Sequence, residues 1–133
     1  GILDAEDAKK AADLGADAIV VSNHGGRQLD GASSSIRMLS HIVDAVGHKT
    51  EVMFDSGIRS GQDVLKAIAL GAKGTMIGRA YTYGLGAKGE QGVTDALKGS
   101  HKELDTTMGL CGRTRISDIN QDILIVPDGF HRK

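Results

Sequence analysis

The sequence predicts a parallel α/β architecture, the C-terminal part of a TIM (β/α)8 barrel. Three observations carry that prediction. Short, nearly continuous apolar runs alternate with amphipathic helical segments, which implies right-handed βα units with buried parallel strands. Two stretches 56 residues apart, "DAKKAADLGADAIVVSN" from Asp7 and "DVLKAIALGAKGTMIGR" from Asp63, repeat one helix–glycine–strand pattern. Each apolar run ends in a loop rich in glycine and polar residues, and barrel active sites are built from such loops. Repetition at two-unit intervals suits a barrel better than a doubly wound sheet. A complete barrel needs eight units and typically about 250 residues. The 133 residues supply three strands and four helices, expected to be about strands six to eight. Residues 1–133 are therefore read as the C-terminal portion of one barrel domain, with the N-terminal half absent. A start without methionine, inside a structural unit, fits that expectation.

The elements follow in chain order. The first helix ends at Leu14-Gly15-Ala16, where Gly15 supplies the stop. A strand covers Ile19–Val21, and a helix is expected over Ser34–Val46. "EVMFDSG", Glu51 to Gly57, holds the second strand. The next helix starts at about Ser60 or Gly61 and stops at Gly71 in a second Leu-Gly-Ala. A strand over Thr75–Ile77 and a last helix over Gly92–Met108 complete the series.

Composition narrows the function classes. A net charge of -1, with no block of like charges, gives no reason to expect a nucleic-acid partner. Aromatic residues make up only 3% and tryptophan is missing, which argues against base-stacking surfaces. Nineteen glycines, about twice the usual roughly 7%, stand beside a single proline and read as compact turns. Lone Cys111 excludes an internal disulfide and suggests a reducing compartment. No apolar run reaches the roughly 18 residues of a membrane span, and "GILDAEDAKK" lacks the order of a signal peptide.

The three loops carry the chemistry. In "SNHGGRQLD", His24 can take a proton near neutral pH. Gly25 and Gly26 remove bulk beside it, and the planar fork of Arg27 suits a carboxylate. A base three residues from a carboxylate clamp describes an enzyme acting on a small acid; the competing reading is a turn with a solvated histidine and arginine. "DSGIRSGQD" reads as an anion site, with Gly57 and Gly61 freeing the backbone, Arg59 bringing charge, and unpaired N–H groups at the next helix start. "IGRAY" repeats the theme with Gly78 and Arg79. In such barrels the loops after strands seven and eight commonly bind phosphate. Two ordinary glycine turns with surface arginines are the alternative.

Together, "SNHGGRQLD", "DSGIRSGQDVLKAIALGA" and "IGRAYTYGLGAKGEQGV" resemble the C-terminal half of the FMN-dependent 2-hydroxy acid dehydrogenases and oxidases. That family includes L-lactate dehydrogenase, glycolate oxidase and mandelate dehydrogenase. The resemblance runs through "MGLCG" and fades in "NQDILIVPDGFHRK". It implies an FMN-binding barrel in which His24 is the catalytic base and Arg27 binds the substrate carboxylate. Ser22 would lie beside the flavin, Asp55, Ser56, Gly57, Ile58 and Arg59 would form the first phosphate loop, and Gly78 and Arg79 the second. The implied reaction is oxidation of an L-2-hydroxy acid, L-lactate first, to the 2-oxo acid. Hydride transfer and a carbanion route would use the same residues. The resemblance further implies a homo-oligomer, a tetramer at full length, located in the cytoplasm or on the inner face of a membrane. The electron acceptor, whether quinone, cytochrome or oxygen, is not written in these residues.

Other residues receive plainer readings. His41, His48, His101 and His131 lack metal-ligand spacing, His41 being expected on the exposed side of its helix. Cys111 is expected to pack, and Met38, Met53, Met76 and Met108 to fill the core. Tyr81 and Tyr83 either border the cofactor or pack. The charges of "AKGEQG" and "LKGSHKEL" read as a solvated face. Two competing functions stay open: another phosphate-binding barrel enzyme, such as a flavin-dependent isomerase, and a truncated piece that is catalytically inactive alone.

Overall fold

The computed structural model describes residues 1–130. Four α-helices and three strands alternate: α1 (Ala5–Asp13), β1 (Ala18–Val21), α2 (Ser35–Val46), β2 (Glu51–Phe54), α3 (Gly61–Ala69), β3 (Gly74–Thr75) and α4 (Arg79–Leu110). The strands form one parallel sheet in the order β1-β2-β3. Short apolar strands joined through helices can pair only in this way.

The two Leu-Gly-Ala repeats fold alike. Gly15 and Gly71 take φ of +88° and +103°, a region open to glycine at no steric cost. Behind the first, Gly15 N–H donates to Ala12 and Ala16 N–H to Ala11. Behind the second, Gly71 N–H donates to Ile68 and Ala72 N–H to Ala67. Both helices thus end in the same paired-bond cap. Asp4 caps the start of α1 through Glu6 and Asp7 N–H.

The sheet packs its outer face on the helices. Val21, Leu39, Ile42, Val46, Val52 and Phe54 are buried to within 1%, each contributing about 1.5–3 kcal/mol of apolar burial. Buried Thr50 donates its hydroxyl to Ala16 O at 2.7 Å, tying the start of β2 to the link before β1. A second cluster, Leu65, Ala69, Met108 and Ile119, joins α3 to α4.

Three elements differ from the sequence-based expectations. β3 comprises Gly74–Thr75 rather than Thr75–Ile77. β2 ends at Phe54, so the "DSG" that follows belongs to the loop. The expected helix over Gly92–Met108 is present as the second arm of α4, which runs to Leu110, but an unexpected helical arm starting at Arg79 precedes it. The two arms meet at a sharp bend where Lys88 (φ −144°) and Gly89 (φ +59°, ψ −139°) leave helical geometry. The bend folds the first arm of α4 back on the second. There, a Cβ on Gly92 would lie 1.8 Å from Gly84 O, so only glycine permits the contact. On the outer edge of β1, Ile2 bridges Val21 in parallel, its N–H donating to Val20 O at 2.9 Å. That edge is therefore partly paired. Among the described residues, no helix is long and apolar enough to cross a membrane.

Register fixes what matters for function. Val21 pairs with Phe54, and Phe54 with Thr75. The next residues, Ser22, Asp55 and Met76, consequently leave the sheet level with one another, at one end.

Candidate active site

The loop after β1 forms a short turn, His24–Gly26, of unusual hand. Its three residues have φ of +54°, +63° and +73°. Glycine adopts this freely; His24 does so only at a cost in strain. The turn is closed by Gly26 N–H to Asn23 O and Arg27 N–H to His24 O. It is anchored from below by side chains. His24 N–H donates to Ser22 Oγ at 3.0 Å, and Gly25 N–H donates to Ser56 Oγ at 3.1 Å. Both hydroxyls in turn donate to one oxygen of Asp55, at 2.5 Å from Ser22 and 3.1 Å from Ser56. The carboxylate at the tip of β2 thus orients two hydroxyls whose remaining lone pairs receive the backbone of the histidine turn.

The loop after β2 continues through Ser56 and Gly57, with φ of +85° and +87°, to buried Ile58 and exposed Arg59. Here one expectation is corrected. The N–H groups of Arg59, Ser60, Gly61 and Asp63 at the start of α3 are not free for an anion. Asp63 accepts from Arg59 and Ser60 N–H, and Ser60 Oγ accepts from Asp63 N–H, forming a capping box. Gly61 N–H donates to Glu103 of α4 at 2.9 Å. Two of the protein's own carboxylates already fill that helix end, and Glu103 is more than part of a solvated face.

The open helix end is that of α4. Gly78 precedes it with no side-chain cap, so no side chain compensates the partial positive charge of the first-turn N–H groups. Gly78, Arg79, Ala80 and Tyr81 line a cleft of about 660 Å3. His24, Gly25 and Arg27 line it from the first loop, and Asp55, Ser56, Gly57, Ile58 and Arg59 from the second. Arg79 reaches back across the rim, Nη2 donating to Gly25 O at 3.5 Å. A histidine, three arginines and an uncapped helix start around one cleft make a site suited to anionic groups.

Of the residues to which the family resemblance gave a role, only Ser22 does not line the cleft; its hydroxyl is held in the knot beneath His24. Gly26 and Gly61 also lie outside the lining. Sequence reasoning missed other lining residues, among them Met76, Asp95 and Glu103. Met76 is 44% exposed and is no core residue. A visible signal for Asp95 was its position four residues after Gln91, whose amide donates to it at 2.8 Å. That bond, together with Lys88 Nζ at 3.5 Å, holds the Asp95 carboxyl below the usual range. Tyr81 and Tyr83 both border the cleft. Cys111 is exposed rather than packed, and His41 is half-buried rather than exposed. His131 lies outside the described residues. Among these residues, no group of three His, Cys, Asp or Glu side chains could hold a metal ion.

Parallel strands that bring a histidine, three arginines and an uncapped helix start to one rim define a (β/α)-type segment. The comparisons narrow the class: the model of the family described as FMN-dependent dehydrogenase matches residues 1–126, and the chain belongs to that family. It is 56% identical over 124 residues to an L-lactate dehydrogenase of Caulobacter vibrioides, covering 93% of this chain and 32% of that protein. It is 48% identical over 132 residues to the pre-mycofactocin synthase of Mycolicibacterium smegmatis, covering 99% of this chain and 33% of the other. The crystal structure of mandelate oxidase with benzoyl-formic acid superposes with a TM-score of 0.88 at 50% identity, over 91% of this chain and 36% of the oxidase. The chain spans about a third of the length of these relatives. Its structural neighbours, hydroxy acid oxidases, are TIM barrels.

Proposed function

We propose that residues 1–133 form about strands six to eight of an FMN-dependent (β/α)8 barrel that oxidises an L-2-hydroxy acid, L-lactate foremost, to the 2-oxo acid. The observation that carries this reading is the shared rim: His24 and Arg27 line the same cleft as Arg59, Arg79 and the uncapped start of α4. Those last groups suit the FMN phosphate, with Gly57, Ile58 and Gly78 leaving backbone close to it. FMN, when bound, supplies the acceptor for the two electrons that leave the substrate carbon.

The protein's own residues do the rest. Arg27 holds the substrate carboxylate in two-point contact, which fixes the α-carbon in one orientation. His24 takes a proton from the substrate as its electrons depart, serving as general base. Its ring is carried by a turn whose backbone N–H groups are tied to Ser22 and Ser56, so the base is held on a stiff support. Preference for L-lactate is supported by the lactate dehydrogenases among the similar proteins. A carboxylate clamp beside the base favours a hydroxy acid over the substrates of a flavin-dependent isomerase.

The test is anaerobic reduction of the FMN-loaded intact polypeptide that carries these residues, followed by flavin absorbance. L-Lactate is expected to bleach the flavin faster than (S)-mandelate or glycolate. His24→Gln is expected to slow reduction by about 10²–10⁴-fold while FMN stays bound. Reduction of the variant at near the parental rate would remove His24 as the base. Faster bleaching by mandelate would overturn the substrate preference alone. The 133 residues by themselves, with three strands, are expected to retain no FMN and to be inactive.

A further inference from the structure

Ser56 stands in the loop assigned above to the cofactor phosphate, yet its side chain is engaged elsewhere. Its hydroxyl accepts Gly25 N–H at 3.1 Å, donates to Asp55 at 3.1 Å and lies 3.2 Å from Ser22 Oγ. Its backbone has φ of +85°, a conformation that a glycine would adopt without strain. Among the described residues, only two that are not glycine have positive φ, His24 and Ser56. The same network joins them, through Ser22 to His24 N–H and directly to Gly25 N–H. Strain at two adjoining points persists where the surroundings over-determine it, and this hydrogen-bonded knot is what determines it here.

We infer that Ser56 is a positioning residue for the base: its hydroxyl, oriented by Asp55, locks the left-handed turn that carries His24. This rests on the proposed role of His24, and it assigns the Ser56 side chain to the turn rather than to the phosphate. Glycine at this position would keep the loop path and release the backbone strain, but would leave Gly25 N–H without its acceptor. The stiffness of the turn, and with it the aim of the imidazole, depends on the hydroxyl.

The experiment uses the FMN-loaded intact polypeptide and two variants, Ser56→Gly and Ser56→Ala. The first relieves the strained φ and so preserves folding; the second keeps a Cβ and removes only the hydroxyl. Amide hydrogen exchange at His24 and Gly25 is expected to quicken about tenfold in both, the scale of one lost hydrogen bond. Flavin reduction by saturating L-lactate is expected to slow about tenfold, since a small misplacement of a reacting group is costly. The dissociation constant for FMN is expected to stay within about twofold. Unchanged exchange at Gly25 would overturn the contact. A tenfold weaker FMN affinity without faster exchange would return Ser56 to the phosphate loop. Faster exchange with an unchanged reduction rate would overturn the positioning role. Should no 2-hydroxy acid reduce the parental flavin, the proposed function fails, and the exchange measurement still decides whether Ser56 holds the turn.

Discussion

Two glycine-to-alanine changes, one at the α3–α4 contact and one on the open face of α4, should shift stability in opposite directions. Gly61 opens α3 and is buried against α4. A Cβ placed there would lie 2.1 Å from Leu104 N, 2.4 Å from Ser100 O and 2.6 Å from Glu103 C, all backbone atoms that cannot rotate aside. Reaching an ordinary contact near 3.4 Å requires the helices to separate by more than 1 Å. That movement opens the Leu65–Met108–Ile119 cluster and pulls Glu103 from Gly61 N–H. Overpacking of this kind costs about 1–3 kcal/mol, and loss of a charged hydrogen bond about 1.5–3 kcal/mol. A net loss of about 3–4 kcal/mol is expected. Gly99 lies on the same helix α4 with nothing within 4 Å of its added Cβ, so Gly99→Ala should stabilise by about 0.5–1 kcal/mol through helix propensity. The assay is urea unfolding of the intact polypeptide followed by circular dichroism. A Gly61→Ala midpoint equal to or above the parental one would refute the close approach of the two backbones. A clear loss in Gly99→Ala would refute the claim of open space on that face.

Arg27→Lys should raise the lactate concentration needed for half-maximal flavin reduction and slow the reaction, because an ammonium cannot reproduce the guanidinium fork; steady-state kinetics read this directly. Arg79→Ala should weaken FMN retention by about 10- to 100-fold through loss of a charge-assisted contact at the α4 start, measured by flavin fluorescence on titration. Gly89→Ala forces an L side chain into φ +59°, ψ −139° and should cost about 1–3 kcal/mol, visible as a lower urea midpoint. Asp95 is held ionised by the Gln91 amide and then by Lys88, so its tie across the α4 bend should be whole above the ordinary carboxyl range near 4 and be lost as pH falls through its lowered pKa. A carboxyl NMR titration should give a midpoint below that of an unfolded aspartate, and Asp95→Asn should abolish that acid-side change.

The parts of this fold that could be read from the residues are those fixed locally. Leu14-Gly15-Ala16 and Leu70-Gly71-Ala72 announce a helix stop because the cap needs a positive φ that glycine supplies. The apolar runs of β1 and β2 mark buried parallel strands by composition alone. Arg79 as a helix start was hidden, since "GRAYTYGLGAKGEQG" holds five glycines and no Ser, Asp or Asn ahead of the helix to cap it. That arm is helical because Gly84 and Gly92 let it fold back on its own second half, a contact made in space rather than in sequence. The filled start of α3 divides in the same way. Ser60 and Asp63 have capping-box spacing, a local signal that the expectation of unpaired N–H groups passed over, whereas Glu103 arrives from 42 residues away. At the site, the grouping of His24, Arg27, Arg59 and Arg79 followed from strand order. The Ser22–Asp55–Ser56 knot depended on side-chain geometry that no spacing encodes.

The central place of β2 has a consequence for how function is acquired. Asp55 follows this middle strand directly and grips the histidine turn through two hydroxyls, while the next few residues of the same loop enter the anion-binding wall. A slip of β2 by a single residue would turn Asp55 to the opposite side of the sheet, and the anchor of the histidine turn and the Ser56–Arg59 lining of the cleft would be lost together. On the proposed function, recovery of flavin reduction during refolding of the intact polypeptide is therefore an all-or-nothing gauge of whether one four-residue segment has found its correct alignment.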